Sequence, residues 1–289
     1  LINIYISSSC IKAHTIAQSV ETLAKAGFKR IELSGGSVYY ERILEDLLDL
    51  KARYSLHYLC HNYFPPPKQD FVVNLASLDS INFERSLVHL LESLRFSHLL
   101  GAKHFGFHAG FFASISPKDL GNLSQTYTLQ DKEQSMERFI HGFHTLKARA
   151  DELDIRLYIE NNVINAANCA RYGHWDLAML LSFEQFCALK KRIDFSLLLD
   201  IGHLQVSART MGLDFMQELA QCLEVADYVH ISENNALSDE NKPLSEQSAF
   251  LPLLQKSHQK HRIYTLEIYA PFKDIHSSYA ILERALRAK

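Results

Sequence analysis

Short runs rich in β-branched and aromatic residues recur along the chain, and between them lie longer stretches in which apolar residues return every three or four positions. A two-residue period suits a strand and a 3.6-residue period suits an amphipathic helix, so the pattern predicts alternating strands and helices. Strand-like runs fall at residues 2–7, 30–34, 54–61, 103–108, 155–160, 196–200, 228–231 and 263–268, with helices in the intervals. The clearest helix is predicted over 81–100, where Phe83, Leu87, Leu90, Leu91, Leu94 and Leu99 form an apolar stripe. Glu84, Arg85, Glu92 and Arg95 face outward, and Gly101 marks the C-terminal stop. A second helix is predicted over 132–153, with Met136, Phe139, Ile140, Phe143 and Leu146 at the same spacing.

About eight βα units in a chain of 289 residues, with no Pro/Gly-rich linker and no shift in composition, predict one domain over 1–289 folded as a (β/α)8 TIM barrel. An open doubly wound sheet would need a Gly-rich phosphate turn after an early strand. Ser34-Gly35-Gly36 is too short for that and reads as a tight βα turn. Three βα connections are long, 62–78, 109–130 and 161–181, and long loops on one barrel face are where a substrate pocket is built.

Composition narrows the partners. With 47% hydrophobic and 22% charged residues the chain is ordinary for a globular protein. Its 30 Lys+Arg against 33 Asp+Glu leave no positive field for gripping a polyanion, so a small-molecule ligand is expected and nucleic acid is not. The five cysteines (Cys10, Cys60, Cys169, Cys187 and Cys222) are odd in number and far apart, which argues against a disulfide framework and for a reducing cytoplasm. No apolar stretch approaches the roughly 18 residues that span a bilayer, so no membrane partner is expected. The sequence begins at Leu1 and runs directly into Ile2-Asn3-Ile4-Tyr5-Ile6, which leaves a trimmed leader open. Assembly into a homo-oligomer is also left open.

Candidate chemistry sits at the strand ends. Leu157-Tyr158-Ile159 runs into Glu160, Leu197-Leu198-Leu199 into Asp200, Tyr228-Val229 into His230, and Tyr264-Thr265-Leu266 into Glu267. These four are spaced 40, 30 and 37 residues apart, about one βα unit each, so in a barrel they converge at one C-terminal rim. Three carboxylates and an imidazole form a hard, anionic donor set suited to one divalent ion, Mn2+, Mg2+ or Co2+, with Zn2+ also accommodated. Burying that set without a cation would be very costly. Taken alone, each acid could instead be a helix cap, and the four together could be an ion-pair network with loop Arg and Lys. His61 and His108 end their own strands and are candidates for substrate contact or for further metals. Arg171, His174 and Trp175 in the fifth loop are candidate substrate contacts. His57, Tyr58, Tyr63 and Phe64 are expected to wall the pocket, His104 to pack or face a helix, and Pro65-Pro66-Pro67 to stiffen the third loop.

Together, Ile159-Glu160-Asn161, Asp200-Ile201-Gly202-His203, His230-Ile231-Ser232-Glu233-Asn234 and Leu266-Glu267 resemble the motifs of the xylose isomerase-like barrels. That superfamily includes sugar isomerases and epimerases, related dehydratases, and the endonuclease IV type of DNA-repair enzyme. Ile31-Glu32-Leu33-Ser34 resembles its second-strand motif, His61 with Asn74-Leu75-Ala76-Ser77 the third, and Phe107-His108-Ala109-Gly110 the fourth. In the epimerase branch the resemblance implies that Glu160, Asp200, His230 and Glu267 ligate one divalent ion. It implies further that Glu160 and Glu267 exchange protons with a small carbohydrate substrate. His203 lies where the motif places a substrate-contacting imidazole and is grouped with the catalytic residues, while Asn234 joins the substrate contacts. Such a set has a chemical logic: a C–H next to a carbonyl is a poor acid, so a metal polarises the oxygens while one carboxylate removes the proton and another returns it.

Two departures from the family patterns bear on the substrate. An endonuclease IV-like phosphodiesterase would use three metals, but Asp239-Glu240-Asn241 carries asparagine where that branch's D-x-H has histidine. The ketose 3-epimerase segment H-x-G-E-x-N-R reads His230-Ile231-Ser232-Glu233-Asn234-Asn235-Ala236 here, with alanine in place of the sugar-binding arginine. This argues against a free ketohexose and leaves another sugar, a sugar phosphate, an inositol-like polyol or a keto acid. A catalytically silent sugar-binding barrel is the third reading.

Overall fold

The structure, a computed structural model, describes residues 2–117, 127–173 and 176–287. Eight parallel strands close into a barrel: β1 (Asn3–Ser7), β2 (Arg30–Leu33), β3 (His57–His61), β4 (His104–His108), β5 (Arg156–Glu160), β6 (Ser196–Asp200), β7 (Tyr228–Ile231) and β8 (Ile263–Leu266). Each pairs with its sequence neighbours, and β8 closes on β1 in the register Asn3↔Ile263 to Ile6↔Leu266. Between them run α1 (Ile16–Lys25), α2 (Ile43–Tyr54), α3 (Ser80–Leu100), α4 (Lys132–Glu152), α5 (Ala166–Tyr172), α6 (Phe183–Lys190), α7 (Ile201–Met211), α8 (Phe215–Val225), α9 (Leu251–Ser257) and α10 (Phe272–Arg287). A small antiparallel hairpin, Ala113–Ser114 with Thr128–Leu129, rises from the β4–α4 connection. The expected TIM barrel is therefore the fold observed.

The observed strands lie close to the expected ones, with one clear shift. Residue 54 was expected to open a strand, but Tyr54 ends α2, and Ser55 caps that helix in a left-handed conformation before β3 starts at His57. In α3, Phe83, Leu90 and Leu94 are buried as expected and Gly101 follows the helix, yet Leu99 is 43% exposed while Leu100 is buried. The buried stripe is completed by Ser86, Ser93 and Ser97, whose hydroxyls donate to Asn82 O (2.7 Å), His89 O (2.9 Å) and Ser93 O (2.8 Å). A serine satisfied this way can occupy a buried helix face, so an apolar count alone places the stripe one residue off. Among the described residues no helix is long and apolar enough to cross a membrane, and all five cysteines are free thiols.

Strand alternation sorts the barrel into two environments. Tyr58, Cys60, Phe105, Phe107, Leu157, Ile159, Leu197, Leu199, Val229 and Leu266 belong to the large cluster shared with the surrounding helices. Leu59, Tyr158, Leu198, Tyr228 and Ile263, with Tyr5 against them, form a separate cluster inside the barrel. The next inward position on these strands, two residues toward the C-terminal rim, is His61, Glu160, Asp200 and His230. The site thus rests on a floor of aromatic and aliphatic side chains.

Candidate functional site

Glu160 is the hub. Its Oε2 lies 2.7 Å from His61 Nε2 and 3.1 Å from His108 Nδ1, and its Oε1 lies 3.4 Å from His230 Nδ1. His230 Nδ1 is also 3.4 Å from Glu267 Oε2 and 3.9 Å from Asp200 Oδ2. Neighbouring registers explain the convergence: His108 pairs with Glu160, Asp200 with His230, and His230 with Thr265, two residues before Glu267. Glu160, Asp200 and His230 are each at most 1% exposed.

His230, Asp200 and Glu267 are each aimed by a partner that occupies the other end of the side chain. His230 Nε2 lies 3.0 Å from Glu32 Oε2, and Glu32, itself buried, also receives the Tyr228 hydroxyl and Thr265 Oγ1 (3.1 Å). Asp200 Oδ1 accepts the His203 backbone N–H at 2.7 Å as the N-cap of α7, so Oδ2 is the oxygen left toward His230. Ser9 Oγ (3.0 Å) and Tyr269 OH (2.8 Å) donate to Glu267 Oε1, leaving Oε2 toward the cluster. Asn161 ties β5 to β6, accepting from Asp200 N at 2.7 Å and donating to Asp200 O at 3.0 Å. His203 Nδ1 donates to Asn161 O (2.9 Å), and its Nε2 stands 3.3 Å from Asp239 Oδ2.

The electrostatics are those of a buried cluster in which carboxylates and imidazoles set one another's charge. Burial pushes the Asp200 carboxyl up; His203 pulls it back, while Glu160 and Asp239 push it further, and it comes to rest at about 7. Burial would also raise Glu267, but His230 and His61 outweigh it and bring that carboxyl down to about 2. Burial opposes the charged form of His230, yet Glu32 and Glu160 hold its pKa well above the ordinary imidazole range. Burial lowers His108 to about 4, leaving it neutral near pH 7 and free to offer a lone pair.

These residues fit a divalent cation. His230 Nδ1 is fully buried, has no hydrogen-bond partner, and faces oxygens of three carboxylates, two at the ends of β5 and β6 and one just after β8. Protonated, the ring answers those oxygens with a single positive charge; a divalent ion in the same place would answer them with two, with Nδ1 as one of its ligands. Among the described residues, three overlapping donor groups meet this geometry: His61, Glu160 and His230; His108, Glu160 and His203; and Asp200, His230 and Glu267.

The structure brings Glu160, Asp200, His203, His230, Glu267, His61 and His108 into one cluster at the floor of a cavity of about 920 Å³. Other expected contacts fall elsewhere. Asn234 donates to Gly202 O (2.9 Å) and accepts from Ala236 N (2.8 Å), shaping the loop after β7. Arg171 sits on an exposed face of α5, away from the described cavity wall, and His174 and Trp175 lie outside the described residues. Of the four expected wall residues only Tyr63 lines the cavity. His57 is exposed, Tyr58 points outward to donate to Leu47 O (3.0 Å), and Phe64 packs edge-on to Phe96. His104 packs against Tyr158 in the barrel, as expected. Ser9 and Tyr269 were given no role from the sequence, and Glu32 and Asp239 entered only within the motifs Ile31-Glu32-Leu33-Ser34 and Asp239-Glu240-Asn241, with no role of their own. For Glu32 a signal existed, a lone carboxylate inside the apolar run Ile31-Glu32-Leu33; for Ser9 and Tyr269 there was none.

The sequence profile of the xylose isomerase-like TIM barrel family matches residues 20–262. Among curated proteins none matches the chain. The fold is similar to a D-tagatose 3-epimerase-like protein, with TM-score 0.73 and 15% identity over 99% of this chain and 97% of that one. It is similar to a 3-keto-D-glucoside 4-epimerase from E. coli, with TM-score 0.65 and 10% identity over 100% of both chains. It is also similar to endonuclease IV from Thermus thermophilus, with TM-score 0.59 and 16% identity over 98% of both.

Proposed function

The chain belongs to the xylose isomerase-like TIM barrel family, and from that premise we propose that it is a divalent-metal-dependent isomerase or epimerase acting on a polyhydroxylated substrate by proton transfer next to a carbonyl. The observation that carries this reading is the orphaned His230 Nδ1 facing Glu160, Asp200 and Glu267. Those four residues would hold the ion. A divalent cation bound there supplies the Lewis acidity that makes a C–H beside a carbonyl removable.

The remaining work falls to the chain's own groups. Glu267 is kept ionised by its histidine neighbours, so near neutral pH it is ready to accept a proton. Glu160 is likewise held well below the usual carboxylate range, by His108 and His61 against the opposing effect of burial. Glu160 ends β5 and Glu267 follows β8, so the two approach the cavity from different sides of the barrel, one to remove the proton and one to return it. His203 lies at the cavity edge with Nδ1 on Asn161 O and Nε2 beside Asp239, so a substrate oxygen would reach it by sharing Nε2 with that carboxylate.

The test is metal content after purification without chelator, followed by solvent-deuterium incorporation across keto sugars, sugar phosphates and polyols. Stoichiometric metal with exchange on one substrate class is expected; no bound metal and no exchange would overturn the reading. One observation favours a second reading, an endonuclease IV-like phosphodiesterase: His61 and His108 both crowd Glu160 Oε2, more imidazole than a single ion needs. Against it stand Asn241 at the place of a metal-binding histidine and the net charge of -3. Cleavage of an abasic duplex, abolished by His108→Ala, would reverse the order of the two.

A further inference from the structure

The cavity over the acidic cluster is not uniform. Asn62, Tyr63, His108, His203 and Asp239 border both the 920 Å³ space above the carboxylates and an adjoining space of about 340 Å³ that runs under the long loops. The first holds the carboxylates and is rimmed by Ser9, Lys12, His14 and Ser34. The second presents mostly apolar surface, from Phe111, Ile115, Val163, Ile164 and Leu177. Asn162, Asn165 and Ser238 add polar side chains to that lining, and Asn168, whose Oδ1 is buried without a hydrogen-bond partner, offers an acceptor.

This apolar lobe is built rather than left over. Ile164, Leu177, Ala178 and Leu181 form a hydrophobic cluster of their own, apart from the barrel cores, with half-buried Phe111 against it. Polar pins hold the wall from behind. Asn162 Nδ2 donates to Ala109 O (2.9 Å), Gly110 O (3.2 Å) and Met179 O (3.2 Å). Asn74 accepts from Phe111 N at 3.0 Å and donates to Phe111 O at 3.0 Å. Phe111 also bridges to Ala178, so the loops after β4 and β5 form one surface. A preformed apolar wall beside a polar site gains affinity only from a ligand that has an apolar part.

We propose that the substrate is a polyhydroxylated ketone carrying an apolar substituent of aromatic size, such as an aryl glycoside whose sugar ring bears a keto group, with the polyol over Glu160 and Glu267 and the substituent between Phe111, Ile164 and Leu177; simple aryl glycosides are its unreactive binding analogues. A free sugar held over Glu160 and Glu267 would leave Phe111, Ile164 and Leu177 to water. A cavity of about 150 Å³ lined by aliphatic and aromatic side chains is enough to hold benzene, so 340 Å³ accommodates a bicyclic ring. The proposal rests on the metal-dependent reading of the neighbouring cluster for its polyol half only.

The test uses the intact protein and calorimetric titration with 2-naphthol, with 2-naphthyl and methyl glycosides of glucose, galactose and xylose, and separately with Co2+. We expect 2-naphthol to bind one site, and Val163→Asp and Ala178→Phe each to weaken it at least tenfold with Co2+ affinity unchanged. At least one naphthyl glycoside should bind tenfold or more tightly than its methyl counterpart and compete with 2-naphthol. No 2-naphthol binding, equal binding to both variants, or no advantage of any naphthyl over methyl glycoside would overturn the proposal. Loss of Co2+ binding alone, with the aromatic results intact, would count against the metal reading and leave the apolar subsite standing.

Discussion

At the scale of single residues, Glu32 decides what His230 can do. With Nε2 held by a buried carboxylate, the imidazole keeps its ring orientation and presents Nδ1 to Glu160, Asp200 and Glu267. Removing such an orienting carboxylate typically costs 10- to 100-fold in metal affinity, so Glu32→Gln should weaken Co2+ by about that factor while circular dichroism shows an unchanged fold. Glu267→Gln acts differently: the other three ligands remain, and metal should stay measurable while deuterium exchange drops by about 10² to 10⁴, the usual worth of a proton-transfer group. His89 offers a pH test remote from the cluster. Burial, then the charge of Arg85, lowers its pKa to about 4, where it packs between Phe71 and Tyr63 with Nε2 unpartnered. The unfolded chain then binds the extra proton between about pH 4 and 6.5, so stability is lost as pH falls through that window. His89→Phe should flatten this limb by about 2 kcal/mol in urea titrations at pH 4.5 and 7.

At the scale of elements, the site is a consequence of strand period and register. Because successive side chains alternate, a strand that buries Tyr158 or Leu198 in the barrel must place Glu160 or Asp200 inside one layer higher. β4 keeps a gap in that layer. A Cβ on Gly106 would come within 2.5 Å of Leu198 Cδ1 and 3.0 Å of the His61 ring. Gly106→Ala should therefore destabilise the fold by about 1–3 kcal/mol by overpacking and, by pushing on His61, also weaken metal binding. Denaturation and Co2+ titration on the same variant check both, and a stable variant with intact metal affinity would show that the β3–β4 contact is slack. The D-x-G-H segment has the same economy: Asp200 ends β6, caps α7 through Oδ1, and is left with one oxygen for the cluster.

For the whole molecule, the donors lie on β5, β6 and β7 and just after β8, so an ion held by all four bridges half of the closed sheet. A ligand that binds only the folded form stabilises it by mass action, about 2.7 kcal/mol at a hundred times its dissociation constant. Chelator-treated protein should thus melt several degrees lower than protein with saturating Co2+ or Mn2+. Asp200→Ala should abolish most of that difference, whereas Arg171→Ala should leave it intact. Equal melting with and without metal would show that the cluster is an ion-pair network instead.

The alternation of strands and helices, the closed barrel, and the placement of Glu160, Asp200, His230 and Glu267 at adjacent strand ends were legible in the sequence. All of these depend on local periods and on spacings of one βα unit. The serines of α3, and with them the burial of Leu100 in place of Leu99, were not, because a serine satisfied by its own helix carries no apolar signal. Tertiary structure alone decided which atoms meet. Glu32 and His230 are 198 positions apart, and Ser9 and Glu267 are 258 apart. They come together only because β1 and β2 close the barrel against β8 and β7. The apolar lobe, too, exists only once the loops after β3, β4 and β5 pack on one another. Periodicity states which way a side chain points from its own strand; closure and register across the barrel settle what it points at.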